Sequence, residues 1–190
     1  MKIGLYFGSF NPVHVGHLII AEFVAEHAAV DQVWMIVSPQ NPLKKSASLL
    51  NEYDRLNLVN IAIEGNEKVR ASDIEFKLPK PSYTIDTLVY LSEKYPDHEF
   101  VVIVGSDSYL NIHKWKNFEV LQRDYRFIIY ERPDFPVDKK SLHLRWTVLN
   151  APLLEISSTY IRKQIKEGKS VKYLVTEPVR KEMERNGYYL

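Results

Sequence analysis

The sequence contains no cysteine among its 190 residues, which excludes disulfide bonds and thiolate metal sites. A chain without cysteine suits a reducing compartment, so we expect a cytoplasmic protein. A strong charge of one sign is also missing, because the net charge is +1, and no overall basic field indicates binding to DNA or RNA. Long apolar runs are missing too. The longest, residues 18–30, is interrupted by Glu22, Glu26 and His27, which excludes a membrane span.

Glycine is scarce, with seven in the chain, so its placement is informative. Residues 8–17 read GSFNPVHVGH and hold two glycines, one proline and two histidines in ten positions. A glycine after a strand lets the backbone approach a ligand and expose its amides. His14 and His17 are three residues apart, so they share one face if a helix has begun there. This pattern predicts a site for an anion such as a phosphate.

Strand and helix patterns alternate along the chain. The sequence predicts strands at residues 2–7, 32–37, 69–72, 99–104, 126–130 and 146–149 and helices at residues 17–29, 52–63, 84–95, 157–166 and 177–186. This order predicts a single α/β domain over residues 1–190, a Rossmann-like doubly wound parallel sheet with helices on both faces. Ligands of such sheets bind beyond the carboxyl ends of the strands, where GSFNPVHVGH and GSDS are both predicted to lie.

A second anion-binding pattern occurs at residues 156–162, which read ISSTYIR. Ser157 or Ser158 can cap a helix, and Arg162 lies one turn beyond Ser158 on the same face. Other interpretations remain: a capped helix with a solvated arginine here, and in the first stretch a zinc pair or a structural turn. The dinucleotide pattern GxGxxG and the Walker pattern GxxxxGK[ST] are both absent.

Together the two stretches resemble the signatures of the HxGH nucleotidyltransferase superfamily. Three further segments, PSYTIDTL at 81–88, GSDSYLNIHKWKNFEVL at 105–121 and YLVTEPVRKEM at 173–183, resemble those of the bacterial nicotinate-nucleotide adenylyltransferases. The resemblance covers essentially the whole chain in order. It implies an enzyme of NAD biosynthesis that transfers AMP from ATP to nicotinate mononucleotide and releases pyrophosphate and deamido-NAD. Its partners would be these two small molecules, with no nucleic acid and no membrane, and the sequence allows a homo-oligomer.

The resemblance also implies roles for particular residues. His14, His17 and Arg162 would be catalytic and would hold the ATP phosphates, and Mg²⁺ would be bound mainly by those phosphates with no dedicated protein metal site. The other residues expected to bind ATP are Gly8, Ser9, Phe10, Lys44, Lys45, Gly105, Asp107, Ser157 and Ser158. Either Lys44 or Lys45 would contact phosphate, since NPLKK replaces the PPHK-like run of the family. Asp107 would bind ribose hydroxyls, or alternatively would cap a helix.

Tyr83, Thr84 and Trp115 are expected to bind the nicotinate nucleotide, through amides near the carboxylate and through stacking of an indole on the pyridinium. For Trp115 the alternative is helix packing. Other functions also fit parts of the sequence: pantetheine-phosphate adenylyltransferase, a cytidylyltransferase, a class I aminoacyl-tRNA synthetase, or a module that binds ATP without turnover. The intact histidines, serines and Arg162 argue against the last of these.

Overall fold

A six-stranded parallel sheet forms the centre of the protein. The structure is a computed structural model that describes residues 1–40, 49–152 and 154–190. Within these residues the strands are β1 (Lys2–Gly8), β2 (Gln32–Val37), β3 (Val69–Ser72), β4 (Glu99–Gly105), β5 (Arg126–Tyr130) and β6 (Trp146–Leu149). Their order is β3-β2-β1-β4-β5-β6, and every neighbouring pair is parallel. The chain therefore builds outward from β1 and then returns to begin β4 beside it.

Helices cover both faces of this sheet, which is why its inner strands are apolar along their length. The helices are α1 (Val15–His27), α2 (Glu52–Ala62), α3 (Thr84–Lys94), α4 (Ser106–Tyr109), α5 (Phe118–Asp124), α6 (Ser158–Lys166) and α7 (Glu177–Asn186). On one face α1, α2, α6 and α7 pack through residues that include Val24, Leu58, Ile161 and Val179. On the other face α3 and α5 pack through residues that include Leu88, Leu91 and Leu121. No helix in the described ranges is long and apolar enough to cross a membrane.

The predicted fold class is confirmed, and the elements differ from the prediction mainly at their ends. Helix α1 begins at Val15, two residues earlier than expected, because His14 has an extended backbone and acts as its N-cap. Helices α4 and α5 and the 3₁₀ helices Ile74–Lys77 and Ile112–Lys114 were not predicted. Each is too short to show a hydrophobic period in the sequence.

The topology brings two glycines to one edge of the sheet. Gly8 ends β1 and Gly105 ends β4, and these strands are neighbours at the point where the strand order reverses. A crevice opens at such a point because the connections on its two sides run to opposite faces. The two loops that are predicted to bind ligand, which follow β1 and β4, therefore start side by side at this edge of the sheet.

Candidate active site

The two histidines of the first loop form a stacked pair at the start of α1. Their ring centroids are 3.6 Å apart, with an interplanar angle of 26°. The backbone N–H of His14 donates to Nδ1 of His17 over 3.2 Å. Because Nδ1 of His17 accepts this bond, a neutral His17 carries its proton on Nε2. The expectation that both side chains share one face is confirmed.

Burial makes His14 a neutral group at physiological pH. The residue is 6% exposed, and its Nδ1 has no hydrogen-bond partner among the described residues. Burial lowers the pKa of His14 to about 4, with a further contribution from the positive charge of Arg132. His14 therefore meets a ligand as an uncharged imidazole, which is a hydrogen-bond donor through one ring nitrogen.

The Phe10 ring packs against the ring of His17. Its ring lies 5.0 Å from that of His17 in an edge arrangement, and the residue is only 2% exposed. A Cβ on Gly8 would lie 2.7 Å from this ring, so only glycine leaves room for Phe10. Phe10 itself has φ 45°, a left-handed conformation that is rare for a bulky residue. Its expected contact with a nucleotide stays a prediction, and the packing under His17 is what the structure describes.

Helix α6 brings the second motif onto the first. Ser158 donates its hydroxyl to the Pro12 carbonyl over 2.9 Å, and Nη1 of Arg162 donates to the Asn11 carbonyl over 2.7 Å. Ser157 is the N-cap, since its hydroxyl accepts from the amide of Tyr160. Arg162 is half-buried, and these two bonds place the first turn of α6 against residues 11 and 12.

A fully buried arginine, Arg55 on α2, also donates to the loop that follows β1. It is 0% exposed and lies on the inner face of α2 with Leu58 and Val59. Its guanidinium donates to the carbonyls of Leu50 (2.8 Å), Ser9 (2.6 Å), Ser38 (2.8 Å) and Pro39 (3.2 Å). With Ser158 and Arg162 it occupies the carbonyls of Ser9, Asn11 and Pro12. These negative ends of the peptide dipoles are therefore bound by protein donors.

At the end of β4 a second group of polar residues surrounds Gly105. Nε of Arg132 lies 3.1 Å from Oδ1 of Asp107, and the Arg132 amide donates to the Ser106 hydroxyl over 2.8 Å. A Cβ on Gly105 would lie 2.9 Å from Nε of Arg132 and closer still to Oδ1 of Asp107, so the side chains of this ion pair would have to move. The N-cap of α4 is Gly105, and Asp107 is the second residue of the helix. The alternative interpretation of Asp107 as an N-cap is therefore wrong.

A cavity of about 360 Å³ lies between the histidine pair, Arg132 and the start of α6. Its walls come from the stacked histidines, from the ends of β1 and β5 and from the N-terminus of α6. The lining residues that bear on the chemistry are Tyr6, His14, His17, Tyr130, Arg132 and Ser157. A volume of this size is typical of a small-molecule site.

The residues expected to bind a pyridine nucleotide lie together at a separate place, on the other face of the sheet. Tyr83 is the N-cap of α3 and Thr84 is its first residue. Nζ of Lys116 lies 2.8 Å from Asp86 and 4.9 Å from the Tyr83 ring centroid, which ties the segment after Trp115 to the start of α3. Trp115 is half-buried and packs against the core of this face.

The start of α3 is held by a buried carboxyl group. Glu75, 1% exposed, accepts hydrogen bonds from the hydroxyls of Ser82 (2.7 Å) and Thr87 (2.8 Å). Burial raises the pKa of Glu75, and these hydroxyl contacts partly oppose the rise. The first-turn amides of α3, which have no acceptor within the helix, are thereby fixed in position.

Three residues of this region were not singled out from the sequence. Arg55 could have been suspected, because it falls on the apolar face of α2, three and four residues before Leu58 and Val59. Arg132 lies two residues after the end of β5, and ligands of parallel sheets bind beyond the carboxyl ends of the strands. Glu75 lies in a 3₁₀ helix that the sequence did not predict. Lys44 and Lys45 lie outside the described residues.

Comparison with known proteins places these features in a family. Residues 5–164 match the family model described as cytidylyltransferase-like. A Cytophaga hutchinsonii protein named probable nicotinate-nucleotide adenylyltransferase is 53% identical over 100% of this chain and 98% of its own length. A Flavobacterium johnsoniae protein of the same name is 51% identical over 100% of this chain and 99% of its own.

Solved structures agree on the fold. The nicotinic acid mononucleotide adenylyltransferase of Plasmodium falciparum, complexed with NaAD, superposes with a TM-score of 0.85 at 23% identity, covering 99% of this chain and 97% of that one. The strand order, the two motifs joined through Ser158 and Arg162, and the near relatives all agree: this chain belongs to the cytidylyltransferase-like family and, within it, to the nicotinate-nucleotide adenylyltransferases.

Proposed function

We propose that the protein transfers the adenylyl group of ATP to nicotinate mononucleotide and forms deamido-NAD and pyrophosphate, a step of NAD biosynthesis. A 5′-phosphate oxygen of nicotinate mononucleotide attacks the α-phosphorus of ATP, and the bond from that phosphorus to the β-phosphate oxygen breaks. The attacking oxygen is already an anion, so the reaction needs positioning and charge stabilisation more than a general base. The observation that carries the proposal is the meeting of the histidine pair with the start of α6 at one cavity.

In this scheme the stacked histidines donate hydrogen bonds to the ATP phosphates. His17 presents a protonated Nε2, since its Nδ1 accepts from the His14 amide. His14, with a pKa near 4, acts as a neutral donor in the free enzyme. The negative charge of bound ATP would raise the His14 pKa, because an opposite charge nearby favours the protonated ring. Both catalytic assignments are thus compatible with the proton positions in the site.

The start of α6 receives the β- and γ-phosphates through Arg162, Ser157 and Ser158. Arg162 uses one N–H for the Asn11 carbonyl and another for Thr159, and a guanidinium has five N–H donors in all. The first amides of α6 and its helix dipole add to the attraction for an anion. Ser158 also donates to the Pro12 carbonyl, so it holds the start of α6 against the first motif in addition to its proposed contact with the phosphates.

The adenosine part of ATP lies at the ends of β1 and β4 in this proposal. Gly8, Ser9, Phe10 and Gly105 form that edge, and Asp107 accepts from ribose hydroxyls after exchanging part of its contact with Arg132. Arg132, which lines the cavity, contacts ATP as well. Lys44 or Lys45 would add a further phosphate contact from the loop after β2.

Nicotinate mononucleotide would bind at the start of α3. The amides near Tyr83 and Thr84 receive the carboxylate, and the half-buried indole of Trp115 stacks on the pyridinium ring. An amide in place of the carboxylate would turn an NH₂ group toward these donors and leave them unpaired. The acid would therefore be preferred over nicotinamide mononucleotide.

Magnesium fits this site as a companion of ATP. Among residues 1–40, 49–152 and 154–190, no group of three or more His, Asp or Glu side chains is arranged to hold a metal ion. The ligands would come mainly from the phosphates, as Mg²⁺ commonly binds at nucleotide sites. When bound, the ion would offset negative charge on the ATP phosphates. We further propose that residues 1–190 form one nucleotidyltransferase domain. We propose that it acts in the cytoplasm, because a chain without cysteine suits a reducing compartment.

The test is a product assay with matched acceptors. Purified protein, ATP and Mg²⁺ are incubated with nicotinate mononucleotide, nicotinamide mononucleotide or pantetheine 4′-phosphate, and a parallel series replaces ATP by CTP. We expect pyrophosphate and deamido-NAD in equal amounts from ATP and nicotinate mononucleotide. Product only with pantetheine phosphate or only with CTP would assign a different transferase. ATP binding without any pyrophosphate release would assign a non-catalytic nucleotide-binding module.

A further inference from the structure

A short chain of hydroxyl and guanidinium groups runs along the wall of the cavity, through Arg132, Tyr130 and Tyr6. Nη2 of Arg132 donates to the Tyr130 hydroxyl over 3.1 Å. The Tyr130 hydroxyl lies 3.4 Å from that of Tyr6, and both tyrosines are only 4% exposed. A guanidinium can only donate, so the Tyr130 oxygen accepts from Arg132. Either hydroxyl can be the donor in the contact between Tyr130 and Tyr6.

Besides this hydrogen bond, Arg132 has an ion pair with Asp107 and a contact with the face of the Tyr130 ring, whose centroid lies 5.4 Å from the guanidinium carbon. The side chain is 44% exposed, and its ion pair is with Asp107, which is 39% exposed. Exposed ion pairs contribute little to fixing a side chain, and arginine has many rotamers to restrict. The tyrosine hydroxyl is a buried acceptor on a rigid strand, since Tyr130 is the last residue of β5. It meets one end of the guanidinium while Asp107 meets Nε.

We propose that Tyr130 is a positioning residue, whose hydroxyl fixes the Arg132 guanidinium at the wall of the cavity that also contains His14 and His17. The proposal rests on the proposed function for its effect on catalysis, and on the hydrogen-bond geometry for its effect on Arg132. The hydroxyl is one atom, so Tyr130→Phe removes it and keeps the ring that packs edge-on against Tyr6 at 6.1 Å. The variant therefore separates positioning from packing.

The first experiment is a double-mutant cycle on kcat/KM for ATP. Tyr130→Phe is expected to lower this value about five-fold, the scale of one hydrogen bond to a partly exposed charge. In an Arg132→Met background the same change is expected to cost less than about two-fold, because the guanidinium it positions is gone. Tyr95→Phe is the matched control, since this ring packs on Trp34 and lies outside the described lining of the cavity. Thermal melts check that each variant is folded.

The second experiment follows the His14 ring by NMR titration of the protein without ligand. His14 is faced by the stacked His17 ring and by the charge of Arg132, which adds to the lowering of its pKa. If Tyr130→Phe releases Arg132 toward solvent, the His14 pKa is expected to rise by a part of its shift, and by at least as much in Arg132→Met, because burial, the larger cause of the lowered pKa, remains in both variants. Tyr95→Phe leaves it unchanged.

Losses that add in the cycle would mean that the Tyr130 hydroxyl acts on the substrate itself, and the proposal would be overturned. A His14 pKa in Tyr130→Phe equal to that of the wild type would overturn it equally, since the guanidinium would not have moved. A wild-type protein that makes no deamido-NAD would instead refute the proposed function. The NMR titration would then still decide the role of Tyr130.

Discussion

Replacing Arg55 by methionine sets two large opposing effects against each other. The guanidinium donates four hydrogen bonds to backbone carbonyls, and those to Ser38 and Pro39 are buried. Losing a donor to a buried carbonyl costs about 1–3 kcal/mol, whereas the half-buried carbonyls of Ser9 and Leu50 can bind water instead. Against this, burying a cation costs several kcal/mol, which methionine does not pay.

We expect the hydrogen bonds to dominate, because the carbonyls stay where the backbone holds them and cannot bond to each other. Arg55→Met is therefore predicted to lower the free energy of unfolding by less than about 6 kcal/mol, the most that two buried carbonyls at about 1–3 kcal/mol each would cost, because the relieved burial of the cation is subtracted from this loss. Arg55→Lys is predicted to lower it by less than Arg55→Met, since an ammonium can serve some of these acceptors. The measurement is urea unfolding followed by tryptophan fluorescence, with the slope against urea compared among variants. Arg123→Met on α5 is the control, since that side chain is 74% exposed and its ion-pair partner Asp124 is 43% exposed.

Stability of Arg55→Met equal to or above that of the wild type would refute this reasoning. It would mean that the desolvation cost of the buried guanidinium exceeds the value of its four hydrogen bonds, as happens for some buried ion pairs. Arg55 would then be retained for the position of the loops after β1 and β2 and not for stability. A changed urea slope would signal altered residual structure in the unfolded chain.

Three further predictions concern the cavity and the start of α3. His17→Ala should lower turnover roughly 10²–10³-fold, because it removes a proposed donor to the reacting phosphates, and should change the melting temperature little. A melting temperature that falls together with activity would indicate a structural histidine instead. His14 has a pKa of about 4 when folded and an ordinary value of 6.5, so the unfolded chain binds its proton first and stability is lost as pH falls from about 6.5 to about 4. That loss is at most about 3.4 kcal/mol and should be missing in His14→Asn, as measured by urea unfolding at both pH values. Trp115→Ala should lower kcat/KM roughly ten-fold, and about equally, for nicotinate and nicotinamide mononucleotide. Thr84→Ala should lower kcat/KM more for the acid than for the amide. If Thr84→Ala leaves the ratio of the two kcat/KM values unchanged, other groups hold the carboxylate.

The sequence by itself determined the fold class and the positions of the two segments, residues 8–17 and 156–162, that are predicted to bind phosphate. Periodicity and alternation are local properties, so the strands at residues 32–37, 69–72, 126–130 and 146–149 have the predicted bounds. The histidine pair was equally readable, because three-residue spacing places two side chains on one face of a helix start. The identity of the N-cap in residues 156–162 was left open by the sequence, since adjacent serines are both good caps.

Only the tertiary structure decided which distant groups meet. Arg55 bonds to carbonyls on segments that are 5 to 46 residues away, and Arg162 to one that is 151 residues away. Backbone carbonyls are identical at every position of a sequence, so no residue pattern marks them as partners. The contact of Arg132 with Asp107 arises for a similar reason, because it depends on β4 and β5 being neighbours and ending at the same edge. Long-range hydrogen bonds of this kind become visible only when the sheet is assembled, since the strand order sets which carboxyl ends lie side by side.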